Sequence, residues 1–359
     1  MAEHVADYEW RGEGDEAEVV LYAADSSAFE RALFAARLPG VESPVYAAAS
    51  ESGFGWVAAS TESVAPDLAS VPVRGMLLTS DEPVGGLGVR PEDVAPMILR
   101  KLAEVGIPAL GAAGVRRVCG VGARAAAEDE LIEEEDLPFF GSRSGEPDSL
   151  DRRAITTGSR SWEERLGSEI DVYVVGEPFD AERVEEAGIG PGALAIRVRA
   201  GSGDLGRLAV SAHRERILRR VWSGEFELDQ DLPVAPVGSE EAVDLLAALR
   251  SAENFADGRA ALLLYALRRA LRDMGSDLRI RASWGVGGIE EREGSFVHRR
   301  GLATLGEGEV LVAGSSVAAG TGKMWGSVPP FGVEEDEGRW PWEEAGLLER
   351  LAGLKAPGG

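Results

Sequence analysis

The segment FVHRRG (296–301) sets one imidazole and two guanidiniums side by side, His298, Arg299 and Arg300, with a glycine closing the run. Neighbouring residues of an extended strand point to opposite faces. One guanidinium can therefore turn inward and grip a phosphate bidentately while the other meets solvent. The competing use is ion pairing, because 62 Asp and Glu stand against 37 Lys and Arg. GSGDLG (201–206) follows a strand-like run and offers backbone N–H groups to an anion, opposed by the charge of Asp204; a turn with an N-cap uses the same residues. AGTGKMW (319–325) imitates a phosphate loop but fails on spacing. Val317 stands where the first glycine of a Walker A motif belongs, and Met324 replaces the Mg²⁺-holding Ser or Thr. GVGARA (120–125) fits a GxGxxA fingerprint after a possible strand VRRVC, without the second, acid-ended strand that a dinucleotide site needs.

The supply of metal ligands and nucleophiles is small. The chain has three histidines (His4, His213 and His298) and one cysteine, Cys119. That excludes a disulfide framework, a zinc ribbon and an iron–sulfur site, and a histidine-rich metal site would need all three imidazoles together. Cys119 sits in an apolar neighbourhood and reads as a small buried hydrophobe. The formal charge of −25 argues against a generic nucleic-acid surface, which would repel phosphate. Lys101, Lys323 and Lys355 are the only lysines, a bias that GC-rich coding explains and that also suits a salty cytoplasm. No apolar run reaches the roughly 18 residues that span a bilayer, and the acidic N-terminus is neither a signal nor a transit peptide. The expectation is a cytoplasmic protein with no membrane partner.

The elements that must position these groups alternate between short apolar runs and helical stretches, an α/β or α+β pattern. Strands are expected at 19–24, around Gly53 and Gly55, and at 73–80, 170–177, 193–199, 278–284, 296–301 and 310–316. Helices are expected from Asp25–Ser27 to about Arg37, from Pro91 to about Val105, and at 123–136, 180–187 and 207–223. The longest runs over 239–273 from a Ser239 cap, with Val243, Leu246, Ala247, Leu249 and Phe255 at a 3.6 period. Residues 139–162 read as a loop. Length gives a prior of about two domains, yet no linker or repeat divides the chain. One large domain over 15–325 is expected, with an irregular 1–14 and a Pro/Gly-rich tail, 326–359, carrying a short amphipathic helix at 342–354.

The order of segments resembles the RtcB family of RNA ligases. DLPVAPVGSEEAVDLLAALRSAENFADGRAALLLYALRRAL (231–271) is similar to the family's S-P-E-G…N-F-A stretch and long helix. LPGVESPVYAAASESGFGWVAAS (38–60), RPEDVAPMILRKLAEVGIPALGAAG (90–114), LGSEIDVYVV (166–175), VRAGSGDLG (198–206), VHRRGLAT (297–304) and VLVAGSSVAAGTG (310–322) resemble further family segments in the same order. The resemblance covers most of 15–325 and implies a single α/β (α+β) domain with mixed sheets and flanking helices. It also implies a reaction: joining RNA 3′-phosphate or 2′,3′-cyclic phosphate ends to 5′-hydroxyl ends with GTP and Mn²⁺, through a guanylated histidine.

Carried over position by position, the same resemblance implies that the chemistry has been lost. The family's metal ligands fall at Pro72, Arg74, Asp171, Arg199 and Trp284, and no histidine follows Gly322 where the guanylated one belongs. Arginine repels a metal ion and an indole cannot ligate one. No catalytic residue and no cofactor are expected; GTP and Mn²⁺ belong only to a chain whose ligase activity survives. The implied phosphate-binding set is Arg74, Arg199, Gly201, Ser202, Asn254, His298, Arg299, Arg300, Gly314 and Ser315, with Arg74, Asp171, Arg199, Trp284 and His298 expected to gather. The first expectation is a non-catalytic relative that binds a nucleotide, an RNA phosphate end or a protein partner. The alternatives are a ligase or other enzyme with a remodelled site, and an acidic regulatory subunit.

Overall fold

The computed structural model describes residues 33–48, 55–88, 90–105, 108–162, 170–175, 192–226, 232–292 and 294–300, and the backbone of short strands at 9–13, 18–22, 228–229, 303–304, 310–311, 327–328 and 348–350. Its strands are β1 (Glu9–Glu13), β2 (Glu18–Tyr22), β3 (Val41–Ala48), β4 (Gly55–Ser60), β5 (Val73–Pro83), β6 (Ile170–Val175), β7 (Ala193–Gly201), β8 (Leu278–Val286), β9 (Ile289–Arg292) and β10 (Ser295–Arg300). Its helices are α1 (Pro91–Val105), α2 (Ala112–Val121), α3 (Arg124–Glu128), α4 (Arg152–Ser161), α5 (Gly203–Trp222) and α6 (Glu240–Arg272).

Helix α6 is the axis of the molecule. Ser239 caps it by accepting a hydrogen bond from the Ala242 N–H at 3.2 Å, and Glu240 and Glu241 complement the positive end of its dipole. Every residue from Asn254 to Leu264 is buried, so this stretch is enclosed on all sides. One face packs on a sheet through Ala260, Leu263, Leu264 and Leu267, against Met76 and Leu78 of β5, Ile196 and Val198 of β7, and Ile280 of β8. The opposite face meets α2, α4 and α5 through Ala248, Ala252, Phe255 and Leu262, against Val118, Ile155 and Leu205. Sheet, axial helix and helical layer are stacked around two apolar seams.

The larger sheet has eight strands in the order Ser327–Val328, Val310–Leu311, Ala303–Thr304, β8, β5, β7, β6 and Leu348–Arg350, and its neighbours pair antiparallel. The smaller sheet, β1-β2-β3-β4-β10-β9, is mixed because β2 and β3 run parallel. Gly287 and Gly288 carry the chain from one sheet to the other, with φ of 78° and 84°, a left-handed conformation that side chains disfavour. The Gly288 N–H donates to Ser70 O at 2.9 Å and the Arg299 N–H donates to Gly288 O at 3.0 Å, fixing the two sheets at that corner. The architecture is the expected α/β (α+β) class with a mixed sheet.

Several local expectations change. Residues 123–136 hold the short α3 and then a 3-10 turn, Glu134–Phe139, because the run of acids cannot sustain one helix and Pro138 ends it. The expected loop at 139–162 contains α4, capped by Asp151 accepting from the Ala154 N–H at 2.6 Å. VRRVC lies within α2, so no strand precedes GVGARA and the dinucleotide reading falls. Helix α5 starts at Gly203, four residues before 207. Val243 is exposed, since the first turns of α6 bury Ala242 and Leu245 on one face and turn Val243 to the other. The helix expected at 180–187, Gly53, and the segment 319–325 lie outside the described residues.

Gly75, at the centre of β5, is paired with Trp284 on one side and Arg199 on the other. A Cβ on Gly75 would fall inside the buried Trp284 indole. Gly75→Ala is expected to destabilise the protein by about 1–3 kcal/mol through overpacking, measured as a lowered urea midpoint at unchanged slope.

Candidate anion-binding cleft

A cleft of about 230 Å³ opens where α6, β5 and the end of β8 meet β9, β10 and the loop 141–146. Its charged lining is Arg74 from β5, Arg143 from the loop, Glu253 and Asp257 from α6, Glu290 and Arg292 from β9, and Arg299 from β10. Four guanidiniums against three carboxylates leave one net positive charge when all are ionised, in a protein of charge −25.

The cleft is built on one side of α6. Ser251, Asn254 and Asp257 recur every third residue and so share a helix face. All three bind the 141–146 loop. The Glu146 N–H donates to Ser251 Oγ at 3.1 Å, the Arg143 N–H donates to Asn254 Oδ1 at 3.2 Å, and Ser142 Oγ donates to Asp257 Oδ2 at 2.9 Å. Asn254 Nδ2 also donates to the carbonyls of Arg143, at 2.7 Å, and Cys119, at 2.9 Å. Asn254 is thus a clamp that holds Arg143 at the mouth, with none of its amide atoms turned to a ligand. Arg74 Nε meets Asp257 Oδ1 at 2.5 Å, the Asp257 side chain being 1% exposed.

The two acids along α6 differ in environment. Burial pushes the Glu253 carboxyl up to about 7; Asp257 and Glu290 add to this, and Arg299 and Arg74 oppose it. Glu290 is held below the ordinary carboxylate value although burial opposes this, because Arg299, Arg292 and Arg143 surround it. Burial also pulls the Arg299 guanidinium below its usual value against the attraction of Glu253 and Glu290. Arg299 Nη2 lies 3.5 Å from Glu253 Oε1, and Nη1 lies 3.4 Å from Glu290 Oε2.

The structure divides the residues expected to gather. Residues opposite one another in an antiparallel ladder share a face. Arg199 and Trp284 both oppose Gly75, while Arg197 opposes both Leu77 and Asp171, so Asp171, Arg197, Arg199 and Trp284 belong to the face turned away from α6. Arg74, one residue from Gly75, turns toward α6 and enters the cleft with Pro72 and the 283–287 segment that includes Trp284. On the far face Asp171 Oδ2 accepts from Arg197 Nη2 at 2.6 Å and lies 3.4 Å from Arg199 Nη2.

His298 stands apart from both groups, fully buried in the smaller sheet. Its Nε2 accepts from the Ala65 N–H and its Nδ1 bonds Phe296 O, both at 3.0 Å, and burial lowers its pKa to about 4. Arg300, exposed, stacks 4.9 Å from the centre of the Trp56 ring. Gly201 accepts from Arg259 Nη1 at 2.6 Å, and Ser202 Oγ donates to Pro72 O at 3.0 Å, so both act as struts. Gly314 and Ser315 lie outside the described residues. Burial raises the Cys119 thiol to about 12 and removes it as a nucleophile. Arg143, Glu253, Asp257, Glu290 and Arg292 were not singled out from the sequence. Glu253 and Asp257 carry the one available signal, an acid pair at i,i+4 within a buried helix.

The residues at the implied metal positions do not fit Mn²⁺. Pro72 has no side-chain donor, Arg74 and Arg199 are cations, the Trp284 indole cannot coordinate, and Asp171 is engaged by two guanidiniums. Among the described residues, no three His, Cys, Asp or Glu side chains are grouped to hold a metal ion.

No family model matches the chain. It is 28% identical to the tRNA-splicing ligase RtcB of Pyrococcus abyssi over 207 residues, which is 50% of this chain and 22% of that protein. It is 27% identical over 180 residues to the proteins of the same name from Pyrococcus horikoshii and Pyrococcus furiosus, covering 44% of this chain and 20% and 18% of those proteins. The chain thus spans about a fifth of the length of the curated relatives it matches. These similarities support a distant RtcB-like relationship.

Two measurements test the geometry. Arg74→Ala strands Asp257 as a buried charge and is expected to cost about 3–5 kcal/mol, read from urea unfolding. His298 is neutral in the fold and titrates near its ordinary value of 6.5 when unfolded. Its contribution is therefore complete above pH 6.5 and is lost as pH falls toward 4, at about 1.4 kcal/mol per unit. The difference in unfolding free energy between wild type and His298→Gln should shrink along that slope; a difference independent of pH between 6.5 and 4 contradicts the assignment.

Proposed function

We propose that this chain is a non-catalytic RtcB-like protein that binds a phosphate-bearing ligand, a nucleotide or an RNA phosphate end, in the cleft between α6 and the two sheets. The observation that carries the reading is the convergence of Arg74, Arg143, Arg292 and Arg299 on one small concavity of an acidic protein. Guanidiniums keep their charge at any physiological pH and present paired N–H donors that match phosphoryl oxygens. The distant similarity to RtcB ligases agrees with a phosphate-bearing ligand, and the residues at the implied metal positions argue against the ligase reaction.

The charge of −25 bears on ligand size. A long polyanion would meet the acidic exterior over many Debye lengths, each about 8 Å at physiological ionic strength. A short end or a mononucleotide places its charge inside the cleft and leaves little outside. Terminal phosphate recognition is favoured over binding along a strand.

Incubation with labelled GTP and Mn²⁺ is expected to leave no covalent guanylate; an adduct on any residue would establish a remodelled ligase instead. In thermal-shift and titration experiments, GMP and a short 3′-phosphorylated oligoribonucleotide should stabilise the protein, whereas the 3′-hydroxyl oligonucleotide should not. Arg292→Ala should weaken the phosphorylated ligands about tenfold, the size of one charge-assisted hydrogen bond. Equal responses to both oligonucleotides, or an unchanged affinity in Arg292→Ala, would remove the cleft as the binding site.

A further inference from the structure

The three carboxylates of the cleft are not equivalent. Asp257 is bonded by Arg74 at 2.5 Å and by Ser142 at 2.9 Å. Glu290 meets Arg143, Arg292 and Arg299 at 2.5, 3.2 and 3.4 Å. Glu253 approaches Arg299 at 3.5 Å, beyond a good hydrogen bond, and its buried Oε1 has no hydrogen-bond partner among the described residues.

We propose that Glu253 binds in its protonated form, so that the carboxyl O–H donates to one oxygen of a tetrahedral oxyanion while Arg299 grips another. This rests on the anion-binding reading of the cleft. An ionised Glu253 both repels an entering anion and holds the Arg299 guanidinium. Adding one proton cancels that charge, weakens its hold on Arg299 Nη2, and turns an acceptor into a donor. The groups facing Glu253 are Asp257 on its own helix, Arg74, Arg299, and the β9 pair Glu290 and Arg292. Glu290 is held ionised by its partners. Burial supports the assignment by lifting the Glu253 carboxyl to about 7, so the proton is available near neutral pH. Above that value, binding draws one proton from solvent.

The test is calorimetric titration of the full chain with sulfate, a dianion across the range used, at pH 6 and pH 8 in two buffers of different ionisation enthalpy. With a pKa of about 7 the protonated fraction falls from roughly nine-tenths to one-tenth. Wild type should therefore bind sulfate about tenfold more weakly at pH 8, with uptake of nearly one proton there. Glu253→Gln, whose amide supplies a neutral donor, should bind at both pH values as wild type does at pH 6, without proton uptake. Equal wild-type affinity at both pH values, or a Gln variant that keeps the wild-type dependence, overturns the role of Glu253 and leaves the cleft reading standing. Absence of sulfate binding in both proteins at both pH values overturns the two together.

Discussion

The buried carboxylate of Asp257 is the constraint on which the cleft depends. It sits on the enclosed stretch of α6, where an unpaired charge would cost several kcal/mol. It is satisfied by Arg74 from the large sheet and Ser142 from the 141–146 loop, and Ser142 Oγ in turn accepts from the Ala123 N–H at 2.9 Å. Sheet, axial helix, loop and the start of α3 are thereby referred to one point. Because the loop is tied at Ser142 and again at Asn254, Arg143 reaches the mouth from a fixed base even though its own side chain is more than half exposed. Remove the charge pair and the inner wall loses its registration before any ligand is considered.

Positive charge is concentrated against the trend of the whole molecule. Elsewhere some arginines are spent on exposed acids, as in Arg117 with Glu128 and Asp129, pairs worth little in water. In the cleft the same residue type is partly desolvated, and Glu290 is shared among Arg143, Arg292 and Arg299. Arg299, 7% exposed along its side chain, is flanked by acids at 3.5 and 3.4 Å rather than locked to either. Long ion pairs in a concavity can be exchanged for a ligand oxygen at small cost, whereas the 2.5 Å Arg74–Asp257 pair cannot. The two kinds of pair divide the labour between scaffold and binding.

Much of the scaffold was legible because it rests on local rules. The Ser239 cap, the acids of its first turn and the 3.6 period mark α6, and the apolar run at 73–80 marks β5. The site was legible only in part. Arg74 and Arg299 were named from their segments, and both line the cleft. Asp171 and Arg199 were named with them, yet ladder register sends these to the opposite sheet face. A shift of one residue along a strand reverses the face, and segment similarity with an error of one or two residues cannot fix that parity. Arg143 and Glu290 were invisible because neither belongs to a motif; they meet across 147 positions of sequence through the glycine corner at 287–288 and the Asn254 clamp. The acid at 257, buried on α6 with Glu253 one turn before it, was the overlooked clue, since such charges are seldom buried without partners.

The replacement of an implied metal set by arginine changes what the pocket can do in a definite way. A divalent ion concentrates charge on a point, exchanges its ligands and lowers the pKa of bound water. A guanidinium spreads one charge over a planar fork, offers directed N–H donors and exchanges nothing. Both attract a phosphoryl group, but only the first also lowers the pKa of a bound water to prepare a nucleophile. Cys119 is buried with its thiol raised to about 12, and both ring nitrogens of His298 are committed to backbone partners, so neither serves as that nucleophile. On the proposed reading, what the cleft keeps is recognition: fixed positive charge, a shaped concavity and a carboxyl lifted toward neutrality by burial.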